Sequence, residues 1–568
     1  MKLSFSALKK NSHLILLSLI FILALISRFY KLTEIPKAVA ADEVALVYNG
    51  WSLITTGKDE WGKTLPLVLR SFDDNKAAIY SYLTIPGILI FDVNVLTARL
   101  PAALFGSFLP IILYFIFTKL SKNKTLSLLT ALVVVTSPWH IEISRTAIEA
   151  GVALTLAMMS LLALLQKDKR WHWTSVILLI LSLYTYHTAR LIAPIILLAA
   201  VFFKQIKTTR KFNIILIIIF ILGIFLSLTQ SSDRFKQISI FSDQGAKLLR
   251  EEAIREDGGL VKTNLIESRA FHNKPLSWVT SFTQSYVSNT SLSFLFLGGA
   301  QPPRVTIPET GQFLIIFLPF FIIGLGASAK NWKNFDKFVL LWLALAPIPA
   351  SLTTAELPHT YRTLFMLPPI AFFIAQGLTK TFKFIKTEVV KDKKVIFWFI
   401  NSGFLILMLF NFLKTWHQYR VHQQVHQPWY RQYGYKDLVD FLNTIKNKER
   451  ITITNKEGEP YIFILLYNKI TPKKFHAANQ KRLAHKAIEA GADEWQLFNY
   501  TFSEAACPYD VTDNNPNNYY VVHFNCELPK NFVRVKSINF MDGEPEFQVD
   551  RPMTETELIE ATNAIPAS

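Results

Sequence analysis

The sequence predicts a polytopic α-helical membrane protein of about eleven transmembrane helices, followed by a C-terminal α/β domain outside the membrane. Three observations predict it. Hydrophobic residues make up 51% of the 568 and charged residues 18%, with a mean hydropathy of +0.27, whereas soluble domains carry about a quarter charged residues. Long apolar runs recur along the first 413 residues, separated by short polar joints. The Lys and Arg of those joints fall on alternate connections, as they do when one side faces the cytoplasm.

The apolar runs lie at 14–30, 99–118, 125–139, 149–166, 174–187, 190–203, 212–230, 312–329, 338–353, 363–379 and 395–413. A crossing takes about 20 apolar residues, or roughly 17–25 with tilt, so the third and fifth runs are short. No small-residue cleavage site follows Tyr30, and the first run is long, so a cleaved signal peptide is not expected.

The formal charge of +18, from 60 Lys+Arg against 42 Asp+Glu, would suit nucleic acid in a soluble chain. Here it has another origin. With Met1 in the cytoplasm, the inner segments 1–13, 119–124, 167–173, 204–211, 330–337 and 380–394 hold 22 basic and 4 acidic residues. The remainder is balanced at 38 of each. The excess therefore orients a multi-pass protein in the plasma membrane, N-terminus inside, and nucleic acid is not a partner.

This topology places 31–98, 140–148, 231–311 and everything after Lys414 on the exoplasmic side. In the last segment, Ile451–Thr454, Tyr461–Tyr467, Tyr519–Phe524 and Phe532–Ile538 read as strands, and Tyr435–Ile445 and Lys481–Ala490 as helices. The chain thus divides into a transmembrane core, 1–413, and an exoplasmic α/β domain, 414–568, with a loose polar tail after Pro552. Cys507 and Cys526 both fall in this domain, and the sequence leaves a disulfide and two buried thiols equally open.

Ionisable groups near membrane boundaries are costly, so their clusters point to function. Asp42 and Glu43 stand a dozen residues beyond the first span, in a loop far longer than a connection needs. Adjacent carboxylates suit a general base or a cation site; the bland alternative is a helix start whose acidic residues favour the dipole. A second cluster, His140, Glu142, Arg145 and Glu149, fills the turn after the third span. Arg145 and Glu149 share a helical face, which is equally what a structural ion pair needs. His187, Arg190, Arg269, His272, Arg304, His359 and Arg362 recur at exoplasmic span ends. One such cation is a snorkelling anchor; several on one face suit an anion, because Arg grips phosphate through a fixed fork of donors. A base and cations on one face are what transfer from a lipid-phosphate donor requires. An anion transporter would place its cations nearer the bilayer midplane.

The chain resembles the bacterial polyprenyl-phosphate-dependent glycosyltransferases of the GT-C fold, relatives of the protein O-mannosyltransferases and the lipid A aminoarabinose transferase. The resemblance covers roughly residues 10–415. It rests on Asp42-Glu43, Ser137 to His140, Ser144-Arg145 to Glu149-Ala150, Tyr186-His187 to Arg190, Phe271 to Lys274, and Pro358-His359 to Arg362, taken in that order on one side of the membrane. It implies that Asp42 is the base in a single inverting displacement from a polyprenyl monophosphate sugar. Glu43 and Glu149 would orient the acceptor or, with Asp42, hold a divalent cation. Arg145, Arg190, Arg269 and Arg362 are implied for the lipid phosphate, and His140, His187, His272 and His359 for the sugar pocket; Arg304 is a further substrate-binding candidate. Some relatives carry Asp where Glu149 stands, so the cation is not fixed. The implied partners are the donor, the bilayer, and an acceptor that is a protein, a lipid or a cell-envelope glycan. The alternatives are an exporter or flippase of lipid-linked glycans that forms no bond, and a receptor working through its C-terminal domain.

Overall fold

The computed structural model describes residues 5–72, 74–230, 238–258, 264–303, 306–391, 393–426, 432–479 and 494–563. By contact it divides into two compact units: Met1–Leu32, Asp73–Tyr80 and Pro101–His422 in the first, and Thr33–Phe72, Ser81–Leu100 and Gln423–Ser568 in the second.

The first unit is helical, and each expected span has a helix. They are Phe5–Phe29, Val95–Ser121, Lys124–Thr136, Glu149–Leu164, Arg170–Leu183, His187–Phe202, Arg210–Gln230, Leu318–Asn331, Asn334–Leu345, Leu367–Phe384 and Lys394–His417. Among the described residues, five helical stretches are long and apolar enough to cross a bilayer: Ser12–Phe29, Val95–Ser121, Arg210–Thr229, Leu364–Val389 and Val395–Val425. The run read as one span over 338–353 is broken. Its helix stops at Leu345 and a short turn, Ile348–Ser351, follows, because Pro347 and Pro349 have no N–H for the helical ladder.

Small residues allow a close helix pair. Leu318–Asn331 lies against Leu367–Phe384, where a Cβ on Gly324 would strike the Phe373 carbonyl and one on Gly377 the Phe320 carbonyl. In a membrane, where lipid competes equally for apolar surface, close approach of this kind is what holds helices together. Aromatic packing continues the core: Phe117 stacks on Phe372 with centroids 5.1 Å apart, and buried Trp342 donates its indole N–H to the Phe365 carbonyl at 3.0 Å.

The second unit is built on a six-stranded mixed sheet. Its strand order is Glu494–Leu497, Tyr500–Ser503, Arg450–Thr454, Asn518–His523, Pro545–Pro552, Phe532–Asn539. The central Arg450–Thr454 strand is parallel to both its neighbours, and the outer pairings are antiparallel. Helix Tyr435–Thr444 forms as expected. Tyr461–Tyr467 does not form a strand; Pro460–Tyr467 is a buried helix with Pro at its first turn. A short run apolar on every side carries no period to separate the two states, and Pro at a helix start is the cue that decides. Lys481–Ala490 lies outside the described residues. The tail is ordered as helix Glu555–Asn563, held by Arg551 Nη1 and Nη2 on the two Glu557 oxygens at 2.9 and 2.7 Å. Cys507 and Cys526 form a disulfide.

Candidate active site

Asp42 stands at the second position of helix Ala41–Thr56, exposed, while Glu43 beside it is buried. The helix start is where an anion meets the positive end of the macrodipole. What separates the two carboxylates is Arg99. Its Nε lies 2.9 Å from Glu43 Oε2 and its Nη2 3.2 Å from Oε1, a two-pronged pair with Arg99 wholly buried. The remaining Arg99 donors bind the Pro36 and Ala38 carbonyls at 2.8 Å each. Glu43 also reaches back to the Ala40 N–H at 3.4 Å. Glu43 is thus the inward anchor of the helix start, and its charge is compensated by Arg99. Asp42 is exposed.

A second acidic dipeptide in the same loop escaped sequence reasoning. Asp59 and Glu60 are 0% and 2% exposed. Asp59 Oδ1 accepts the Trp61 and Lys63 N–H groups at 3.0 and 2.8 Å, and burial pushes its carboxyl pKa up. Asp-Glu alone therefore does not mark an accessible acid in this loop; the flanking Trp61 and Gly62 were the available signal for a buried turn.

The turn after Lys124–Thr136 is the short helix Pro138–Ile143, capped by Ser137. His140, Glu142 and Arg145 are all buried there. Arg145 ties the end of helix Phe5–Phe29: Nη1 donates to the Ser27 and Arg28 carbonyls at 2.9 and 3.1 Å, Nη2 to Tyr30 at 2.7 Å, and Nε to the Tyr419 hydroxyl at 3.1 Å. Those carbonyls are ones a helix end leaves without intrahelical donors. Arg28 Nη2 lies 2.8 Å from His140 Nδ1, which must accept, so the imidazole proton sits on Nε2. Glu149 opens helix Glu149–Leu164, in the turn that favours acidic residues.

The remaining candidates separate by exposure. Arg190 is buried, with Nε on the helix-end Leu183 carbonyl at 3.3 Å and Nη1 on the Leu226 carbonyl at 3.1 Å. His187 starts helix His187–Phe202. Tyr186 packs against both its ring and Tyr361, at 6.1 and 6.3 Å, and Tyr361 lies edge-on to His359 at 4.3 Å. The structure therefore joins the His187 and His359 turns through aromatic contact. His359 is buried and lies 3.5 Å from Glu356. Arg362 is half-buried and donates to Thr353 Oγ1 and the Ala355 carbonyl at 3.0 and 3.2 Å. Arg269 is exposed on helix Leu265–Phe271, and His272 Nε2 lies 3.3 Å from Asp257. Arg304 lies outside the described residues. Lys76, a buried lysine on strand Asp74–Ala77, was not weighed from sequence; a buried ammonium is rare enough to mark.

Among the described residues, no three His, Cys, Asp or Glu side chains converge as a metal centre needs.

Fold and site define a polytopic membrane protein with an exposed carboxylate starting a helix in its first long loop. No family model and no curated protein matches the sequence, but solved structures match its fold. ArnT from Cupriavidus metallidurans in the apo state superposes with a TM-score of 0.51 at 10% identity, over 95% of this chain and 98% of that one. The same protein bound to undecaprenyl phosphate gives 0.47 at 8% identity, over 94% and 97%. The apo oligosaccharyltransferase of Archaeoglobus fulgidus gives 0.46 at 12% identity, and this chain covers 64% of its length. The fold shared with ArnT along almost the whole chain is the GT-C fold that the sequence resemblance implies.

Proposed function

We propose that the chain is a membrane glycosyltransferase that moves a sugar from a polyprenyl-phosphate donor to an acceptor on the exoplasmic face, with Asp42 as base. One observation carries it. Of the two adjacent carboxylates in the first loop, Arg99 holds Glu43 inward, and Asp42 is exposed at the positive end of a helix. The Asp42 carboxylate takes the proton of the acceptor hydroxyl as its oxygen attacks the anomeric carbon. The bond from that carbon to the phosphate oxygen breaks, and the polyprenyl monophosphate leaves with the electron pair. The leaving charge needs cations that strengthen their grip as it develops. Arg269, exposed on its helix, suits that role better than Arg145 and Arg190, whose donors serve backbone carbonyls.

The donor class is the one the sequence resemblance implies, and the fold shared with ArnT is compatible with it. The one-sided Lys and Arg support an exoplasmic placing of residues 414–568, and so does the Cys507–Cys526 disulfide, because disulfides persist in oxidising compartments. The test uses purified protein in liposomes, a panel of polyprenyl-phosphate hexoses and pentoses, and an envelope extract as acceptor. A new glycoconjugate found by mass supports the reading. Donor crossing the bilayer with no new bond would establish the flippase instead.

A further inference from the structure

We propose that the C-terminal α/β domain positions the Asp42 helix, and that Gln432 is the positioning residue through which it acts. The proposal rests on the reading of Asp42 as base. A helix start leaves its first N–H groups without intrahelical acceptors, and a Ser, Thr, Asp or Asn at the N-cap usually supplies one. Here the N-cap is Ala40, in extended conformation, with no side-chain oxygen to offer. The acceptor comes from 391 residues away: Gln432 Oε1 takes the Ala41 N–H at 2.6 Å. That N–H has no use for an amide NH2, so the contact fixes which way the Gln432 amide faces. Its Nε2 donates to the Glu457 carbonyl at 3.3 Å. Gly458 makes room for it; a Cβ there would collide with Gln432 Nε2.

The rest of the first loop is held by the same domain. Lys37 Nζ reaches the Tyr433 hydroxyl at 2.7 Å. Tyr48 donates its hydroxyl to the Ile470 carbonyl at 3.0 Å and meets Phe475 edge-on at 6.0 Å. His476 Nε2 binds the Asp59 carbonyl at 2.8 Å. The Asp42 helix itself packs on helices Pro460–Tyr467 and Pro472–Ala478. Gln432 differs from these contacts in place. It binds the residue next to Asp42, so it sets where that carboxylate stands, and small misplacements of a reacting group cost large factors in rate.

The test compares Gln432→Met, which keeps length and removes the acceptor, with Gln432→Glu, which keeps an acceptor oxygen. Both meet the same positive φ of 54° at position 432, so backbone strain cancels. Full-length protein in liposomes is read by amide exchange over residues 41–47 and by steady-state transfer from the polyprenyl-phosphate sugar that the panel identifies. In Gln432→Met, exchange in the first turn should rise about fivefold, the size of a lost helix cap. Its kcat should fall at least about tenfold with KM within about twofold, and Gln432→Glu should recover most of the loss. Unchanged exchange and kcat in Gln432→Met overturn the proposal. So does a loss that Gln432→Glu does not rescue and that a lowered melting temperature accompanies. The two readings fail separately. Full activity of Asp42→Asn overturns the base and leaves the exchange result standing. An inactive Asp42→Asn beside a wild-type Gln432→Met overturns the positioning alone.

Discussion

Two charged turns look alike in the sequence and differ in the structure. The Asp42–Glu43 start and the His140–Glu149 turn each crowd ionisable residues in a connection that follows an apolar run. In the first, one partner is buried against Arg99 and the other is exposed. In the second, His140, Glu142 and Arg145 are all buried, and the Arg145 donors serve the end of helix Phe5–Phe29. A charge cluster at a membrane boundary therefore has two physical uses. It can satisfy buried backbone groups, as Arg145 does, or, as we propose for Asp42, it can leave one carboxylate exposed for a substrate.

The sharpest stability contrast is at Arg99. Arg99→Ala leaves Glu43 buried without its cation and should cost about 3–5 kcal/mol, whereas replacing both by apolar residues of similar volume should recover much of it. Asp42→Ala, at an exposed position, should change stability by under about 0.5 kcal/mol. Equal losses in the two single variants, read by thermal unfolding in detergent, would erase the distinction between the carboxylates. Arg145→Met should cost about 2 kcal/mol or more through the carbonyls it orphans. The expected readout is reduced abundance in the membrane, not slower transfer per folded molecule.

The C-terminal sheet offers two smaller tests with opposite signs. Glu546 is 1% exposed and burial pushes its pKa up to about 10. The folded state thus keeps a proton that the unfolded chain releases near pH 4.5, and this group costs stability increasingly from there toward pH 10. Glu546→Gln should raise the melting temperature by a few degrees at pH 7 and more at pH 9, with no gain near pH 4. Glu557 runs the other way: its paired Arg551 holds its pKa down to about 2. Its contribution is complete above pH 4.5 and disappears as pH falls through 2. Glu557→Gln should loosen helix Glu555–Asn563 slightly at neutral pH, seen as faster amide exchange there, and make no difference near pH 2.

Much of the fold was legible because burial in lipid demands long apolar runs, which hydropathy reads directly. Asp42 was legible as a helix start in a long loop. The partners were not. Arg99 pairs with Glu43 across 56 positions and Arg145 reaches helix-end carbonyls up to 118 away, and no local pattern announces such distances. The sheet failed where local cues misled. Pro545–Pro552 reads as charged and Pro-bounded, yet its Glu546 and Asp550 are buried, Asp550 against Arg534 at 3.0 Å. Tyr500–Ser503 is only four residues long, too short for alternation to register.

The central claim is that Asp42, and not the buried charges of the other turn, carries the chemistry. The direct measurement is transfer from the polyprenyl-phosphate sugar by purified Asp42→Asn, which keeps the shape of the side chain and removes its basicity. Transfer should fall by at least about a thousandfold, the scale of a lost general base, with membrane insertion and melting unchanged. Full activity in Asp42→Asn would contradict the account.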